Sequence, residues 1–163
     1  MNSQTVSIVP HAASKKVTAV KAGKVLEAIR SGKYADQIAA VRAAYKQGGK
    51  NAAGPLKKQL LGILFSGRFS QRKDEAIEQH SGILVADLDE LEAERIKELR
   101  TKLEEDPHVI FVFLSPTGSG LKVGFRVPAD VDRHADSFAA VAAHVKRVYG
   151  EEIDPACKNL SRL

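Results

Sequence analysis

In SGILVADLDE (residues 81–90) an apolar run ends in two carboxylates, Asp87 and Asp89, two positions apart. Side chains at that spacing leave the same face of a β-strand. Two carboxylates on one face repel each other unless a cation or strong donors stand between them. A hard divalent ion, Mg²⁺ or Mn²⁺, is the cation best matched to oxygen ligands. Two further stretches carry complementary chemistry. SPTGSGLK (115–122) is a Gly-rich turn running into a lysine, and EEIDPACKNLSRL (151–163) places Asp154 near Lys158 and Arg162. Glycines expose backbone N–H groups, and Lys122 adds a cation just after them, which favours phosphate oxygens. The turn is not a Walker A loop, because G-x-x-x-x-G-K-[ST] does not match it. Together the three stretches predict a metal-dependent site for a phosphorylated ligand.

Each stretch also has a plainer reading. Asp89 and Glu92 have the spacing of a helix capping box. SPTGSGLK suits the loop of a hairpin, and Asp154 suits a turn before Pro155. His80 and His108 read as strand-end or surface residues, Lys158 and Arg162 as surface cations, and Cys157 as a small buried hydrophobe. Asp87 has no such duty. It closes an apolar strand.

The elements that must position these residues follow from periodicity. Residues 4–9 and 16–20 read as short strands. Helices are predicted over 22–31 and 35–47, the second carrying Ile38, Val41 and Tyr45 at helical spacing and ending at Gly48-Gly49. A further helix is predicted over 55–61, with Pro55 in its first turn. Residues 62–69 read as one strand and SQRKDEAIEQH (70–80) as a polar linker. From residue 82 the order is regular: strand 82–87, helix 90–105 stopped by Asp106-Pro107, strands 109–114 and 121–127, helix 133–149, and an extended stretch near 151–154. That succession is β-α-β-β-α-β, the ferredoxin-like or RRM-like order. The expected fold class is therefore α+β, an RRM-like core over 74–163 preceded by a basic, mostly helical N-terminal module over 1–73.

With 163 residues, 44% hydrophobic and 28% charged, the composition is that of a globular domain. No apolar run reaches the roughly 20 residues that cross a bilayer, and no secretory signal is present. One cysteine excludes an intramolecular disulfide and fits a reducing compartment, so a cytoplasmic location is expected. Charge is unevenly placed. Residues 1–73 carry 14 Lys/Arg against Glu27 and Asp36, and residues 74–163 carry 11 against 18 Asp/Glu, within a net charge of +5. A basic first half attracts nucleic acid by releasing condensed counterions, and equally suits a solvated helix surface.

HSGILVADLD, FLSPTGSGLKV and IDPACKNLSRL, in that order, resemble the archaeo-eukaryotic primase (prim-pol) superfamily. The closest branch is the primase-like N-terminal domain of phage and mobile-element replication proteins, termed VirE N-terminal-like. The resemblance covers residues 60–163, including LFSGRF, and is weak over 1–55. It implies that Asp87, Asp89 and Asp154 are the catalytic carboxylates that hold the metal. Many members carry a small-x-His nucleotide motif where this chain has SPTGSGLK. Ser115, Gly118, Ser119, Gly120 and Lys122, with Arg162, take its place as the nucleotide-binding set. The implied activity is nucleotidyl transfer from nucleoside triphosphates on a single-stranded DNA template by two-metal catalysis, with a replicative helicase as a further partner. Lys57, Lys58, Arg68 and Arg72 are the expected DNA contacts. Members continue past the Ser-Arg pair, so the chain reads as an excised domain. Two other readings stay open: a non-catalytic nucleic-acid-binding domain on a degenerate primase fold, and a nuclease using the same carboxylates.

Overall fold

The computed structural model describes residues 3–163. Its architecture is α+β, with four α-helices and three small antiparallel sheets. The sheet that presents Asp87 is built from β6 (Ile83–Leu88), β7 (Val109–Leu114) and β8 (Leu121–Arg126), in the order β6-β8-β7. Alternation along β6 and β8 gives this sheet two unlike faces. Leu84, Ala86, Leu88, Leu121, Val123 and Phe125 point to one side and are buried against two helices. Those helices are α3 (Ala93–Glu104) and α4 (His134–Tyr149), which turn Ile96, Leu99 and Leu103, and Val141, Val145 and Tyr149, inward. These spacings of three and four residues make the apolar stripe of an amphipathic helix. Gly150 then ends α4 in the left-handed conformation (φ 74°), its N–H donating to Lys146 O.

The other face carries Ile83, Val85 and Asp87 from β6, and Phe111 and Phe113 from β7. The first half of the chain packs on it. Three strands, β1 (Thr5–Val9), β2 (Thr18–Lys21) and β3 (Gly62–Leu64), form a sheet in the order β2-β1-β3. With helix α1 (Ala22–Arg30), Val6, Ala22, Val25 and Phe65 join Ile83 in a second buried cluster, against which Val85, Phe111 and Phe113 rest. Gly124 makes room for this: a Cβ there would lie 2.4 Å from the Phe111 ring.

In the first half the strands expected near 4–9 and 16–20 form as β1 and β2, and together with β3 they make a three-stranded sheet beside the two helices. Several sequence expectations are corrected. Residues 62–69 form two strands rather than one. Gly62–Leu64 pairs with β1, whereas β4 (Gly67–Phe69) turns away to pair with β5 (Ile77–His80). The second pairing draws order from the stretch expected to be a polar linker. It needs Gly67, whose Cβ would lie 2.1 Å from Gln79 O. Helix α2 (Ala35–Lys57) breaks at Gly48 and Gly49, then resumes directly, so Pro55 lies within it and no separate helix spans 55–61. The capping box is absent, because α3 begins at Ala93, its N-cap is Glu92, and no side chain caps it.

The fourth core strand does not form. Residues 151–154 have no ladder; Asp154 N donates one hydrogen bond to Asp87 O (3.0 Å) and the chain enters a 3-10 turn, Pro155–Lys158. Pro155 has no N–H for a ladder, and Asp154 Oδ1 instead accepts from Ala156 N at 2.9 Å. The tail then crosses the first half. Ser66 Oγ donates to Leu160 O, Ser161 N donates to Asp74 Oδ1, and Leu163 packs over Gly62.

Candidate functional site

Asp87, one residue before the end of β6, stands opposite Lys122 of β8, and the register makes them direct cross-strand partners. Lys122 Nζ stands 2.6 Å from Asp87 Oδ1, with both side chains largely withdrawn from water at 19% and 8% exposure. The tail adds Arg162, whose Nη2 is 2.5 Å from Asp154 Oδ2 and 3.8 Å from Asp87 Oδ2. Two carboxylates and two cations thus meet where the strand end, the hairpin and the tail converge. Carboxylate oxygens of Asp87 and Asp154 and the Cys157 sulfur all lie within 4.8 Å of one another.

This donor set fits one hard divalent ion in its carboxylate part. Burial, with the nearby Asp87 charge, pushes the Cys157 thiol up to about 11, so it faces the carboxylates protonated and is not a ligand for Mg²⁺. Asp89 does not join the cluster. β6 stops at Leu88 and Glu90 has a left-handed backbone (φ 58°), so strand alternation no longer applies and Asp89 is exposed. It still lines the same cleft.

That cleft, about 650 Å³, lies between α2 and the open face of the sheet. Its cationic lining comprises Arg42, Lys57, Lys58, Arg72, Lys122 and Arg162; Asp87 and Asp89 are its carboxylates. Phe65, Val85 and Phe113 give it an apolar surface. Lys57 and Lys58 are exposed at its edge, whereas Arg72 also donates to Ala12 O. Arg68 is not part of it. Arg68 is exposed and pairs with Glu78 at 2.9 Å across β4 and β5, away from the cleft lining.

The 115–120 turn stands at the cleft wall through Ser115 and Pro116, while Gly118, Ser119 and Gly120 do not line the cleft. Ser115 Oγ, Thr117 Oγ1 and Ser119 Oγ form a hydroxyl chain at 3.1 and 2.9 Å. Leu91 N donates to Ser119 O, which fastens the turn to the segment after Asp89. Gly120 permits that approach, because a Cβ there would lie 2.3 Å from Leu88 O.

Two basic residues of the cleft escaped the sequence reading. Arg42 lies one position from Val41 and four from Ile38, inside the apolar stripe of α2. A cation in an apolar stripe was the available signal. His134 begins α4 and is buried with His80, His80 Nε2 and His134 Nδ1 being 3.0 Å apart. Gly82 N donates to His80 Nδ1 at 3.0 Å, so neutral His80 carries its proton on Nε2 and donates to His134 Nδ1. His134 must then carry its proton on Nε2.

A second polar junction is structural. Asp106, after α3, accepts from His144 Nε2 at 2.7 Å and Tyr149 OH at 2.6 Å, tying both ends of α4's second half to the α3 terminus. Burial and the Asp106 contact raise the Tyr149 phenol above its ordinary range.

Among the described residues no helix is long and apolar enough to cross a membrane. No curated protein and no solved structure matches the chain. The family profile described as BT4734-like, N-terminal domain, matches residues 55–163, the segment that supplies β6, the hairpin, the 115–120 turn and the tail. With most of its length matched, including Asp87, Lys122, Asp154 and Arg162, the chain belongs to the BT4734-like N-terminal domain family.

Proposed function

We propose that the cleft binds nucleotide phosphates and that the protein joins nucleotides on a single-stranded DNA template, as a primase or primase-polymerase does. One observation carries this reading: six cations and the carboxylates of Asp87 and Asp89 wall one cavity that also has an apolar surface. Cations suit phosphates, carboxylates suit a divalent ion, and an apolar wall suits a base. The β6-α3-β7-β8-α4 succession, with β6 beside β8, supports an RRM-like core in which the tail replaces a fourth strand.

Asp87 and Asp154 would hold the ion, which when bound supplies Lewis-acid stabilisation of phosphate oxygens. Lys122 and Arg162, each seated on one of these carboxylates, can exchange that partner for triphosphate oxygens. The exposed Lys57 and Lys58 would hold template backbone at the edge of the cleft. Single-stranded DNA binding should therefore be sequence-independent and fall steeply with salt. Joint Lys57→Glu and Lys58→Glu should weaken it about tenfold or more, while Arg68→Glu leaves it unchanged. Fluorescence anisotropy with a labelled oligonucleotide measures this, and an equal loss for Arg68→Glu would reduce the cleft's contribution to bulk charge.

A second reading is favoured by one feature. Asp87 and Asp154 are already ion-paired and Asp89 stands apart, which suits a domain that binds nucleic acid without catalysis. Incorporation of labelled nucleotide on a template separates the two.

A further inference from the structure

Arg42 stands on α2, outside the segment shared with the family, and reaches across to the 115–120 turn. An added Cβ on Gly118 would lie 3.5 Å from Arg42 Nε and 3.9 Å from its Cζ, so the guanidinium lies directly against this glycine. Gly118 itself has φ +80°, a conformation that favours glycine. Arg42 Nε is buried and has no hydrogen-bond partner. Among the described residues only one other buried side-chain atom shares that condition, His134 Nε2. Both belong to residues that line the same cleft, and both are donors, Arg42 by its chemistry and His134 by the proton placement forced by Gly82 and His80.

Leaving a donor buried without an acceptor costs free energy. Arg42 and His134 both incur this cost at the wall of one cleft, and an occupant that brought acceptors there would relieve it. Arginine is the side chain whose planar fork matches phosphate oxygens, and the cleft already carries a cationic excess. Resting on the phosphate reading given above, we infer that Arg42 is a phosphate anchor that α2 lends to the cleft beside the 115–120 turn. The first half of the chain then supplies a ligand-contacting residue as well as template-facing charge. The phosphate belongs either to a nucleoside triphosphate or to the backbone of a nucleic acid.

The test uses the full chain as wild type, Arg42→Ala and Arg42→Lys. Tripolyphosphate is titrated by calorimetry and labelled oligothymidine by anisotropy, with thermal midpoints recorded for all three. Arg42→Ala should weaken at least one probe about tenfold, as expected for losing a charge-assisted phosphate contact. Its thermal midpoint should not fall, because an unpartnered buried donor is removed. Arg42→Lys should recover only part of the affinity, since lysine lacks the fork. Loss confined to tripolyphosphate assigns the contact to a free nucleotide, and loss confined to oligothymidine assigns it to a backbone phosphate; either supports the anchor. Wild-type affinity for both probes in Arg42→Ala overturns it. A wild-type chain that binds neither probe overturns the phosphate reading of the cleft itself, a distinct result.

Discussion

Lys122→Met is expected to destabilise the fold by about 3 kcal/mol, because it strands the Asp87 carboxylate away from water. Among the described residues Asp87 has two cations near it, Lys122 at 2.6 Å and Arg162 at 3.8 Å. The second distance is too long for a hydrogen bond, and Arg162 is already engaged by Asp154. Removing one partner of a withdrawn pair costs more than removing both, since the desolvation penalty of the survivor is no longer offset. Asp87→Asn in the same chain should therefore recover most of the loss. A double-mutant cycle from urea unfolding measures the coupling, and additive losses would show that the pair does not act as a unit.

Acid should destabilise the chain well before its carboxylates are protonated. Burial, and to a lesser extent His134, depresses His80 from 6.5 to about 4, and burial lowers His134 as well. The unfolded state thus takes up a proton near pH 6.5 that the folded state refuses until about pH 4. Stability is full above pH 6.5 and is lost as pH falls towards 4, by about 3 kcal/mol for His80. His80→Asn keeps an acceptor for the Gly82 N–H and removes the titrating group. It should lower stability at neutral pH yet flatten the slope between pH 6.5 and 4.5. An unchanged slope in that variant, measured by urea unfolding across the window, would assign the acid sensitivity to other groups.

The elements that position Asp87 were legible because their patterning is strict. Leu84, Ala86 and Leu88 alternate along β6, and the stripes of α3 and α4 recur at three and four residues. β5 was not legible, because Ile77-Glu78-Gln79-His80 is polar apart from one residue and becomes a strand only through its pairing with β4. The extended tail was read as a strand because its composition allows one. The Asp154 side chain and Pro155 make it a capped turn instead. Motif order and resemblance pointed to Asp87, Lys122, Asp154 and Arg162, and the fold gathers all four. Asp89 lines the cleft but stands apart from the Asp87–Asp154 cluster, because it lies one residue past the end of β6, where alternation no longer applies. Arg42 and His134 depend on how distant segments meet, α2 over the open sheet face and α4 against β5, which local pattern does not encode.

Template-directed nucleotide incorporation tests the central claim most directly. The full chain is incubated with single-stranded DNA, labelled nucleoside triphosphates and Mn²⁺ or Mg²⁺, beside Asp87→Asn and Asp154→Asn chains at a temperature where circular dichroism shows both folded. Template-dependent products from the wild type that vanish in both variants are the predicted result. Products that persist undiminished in both variants, or a wild type that binds triphosphate and template yet makes none, would contradict it.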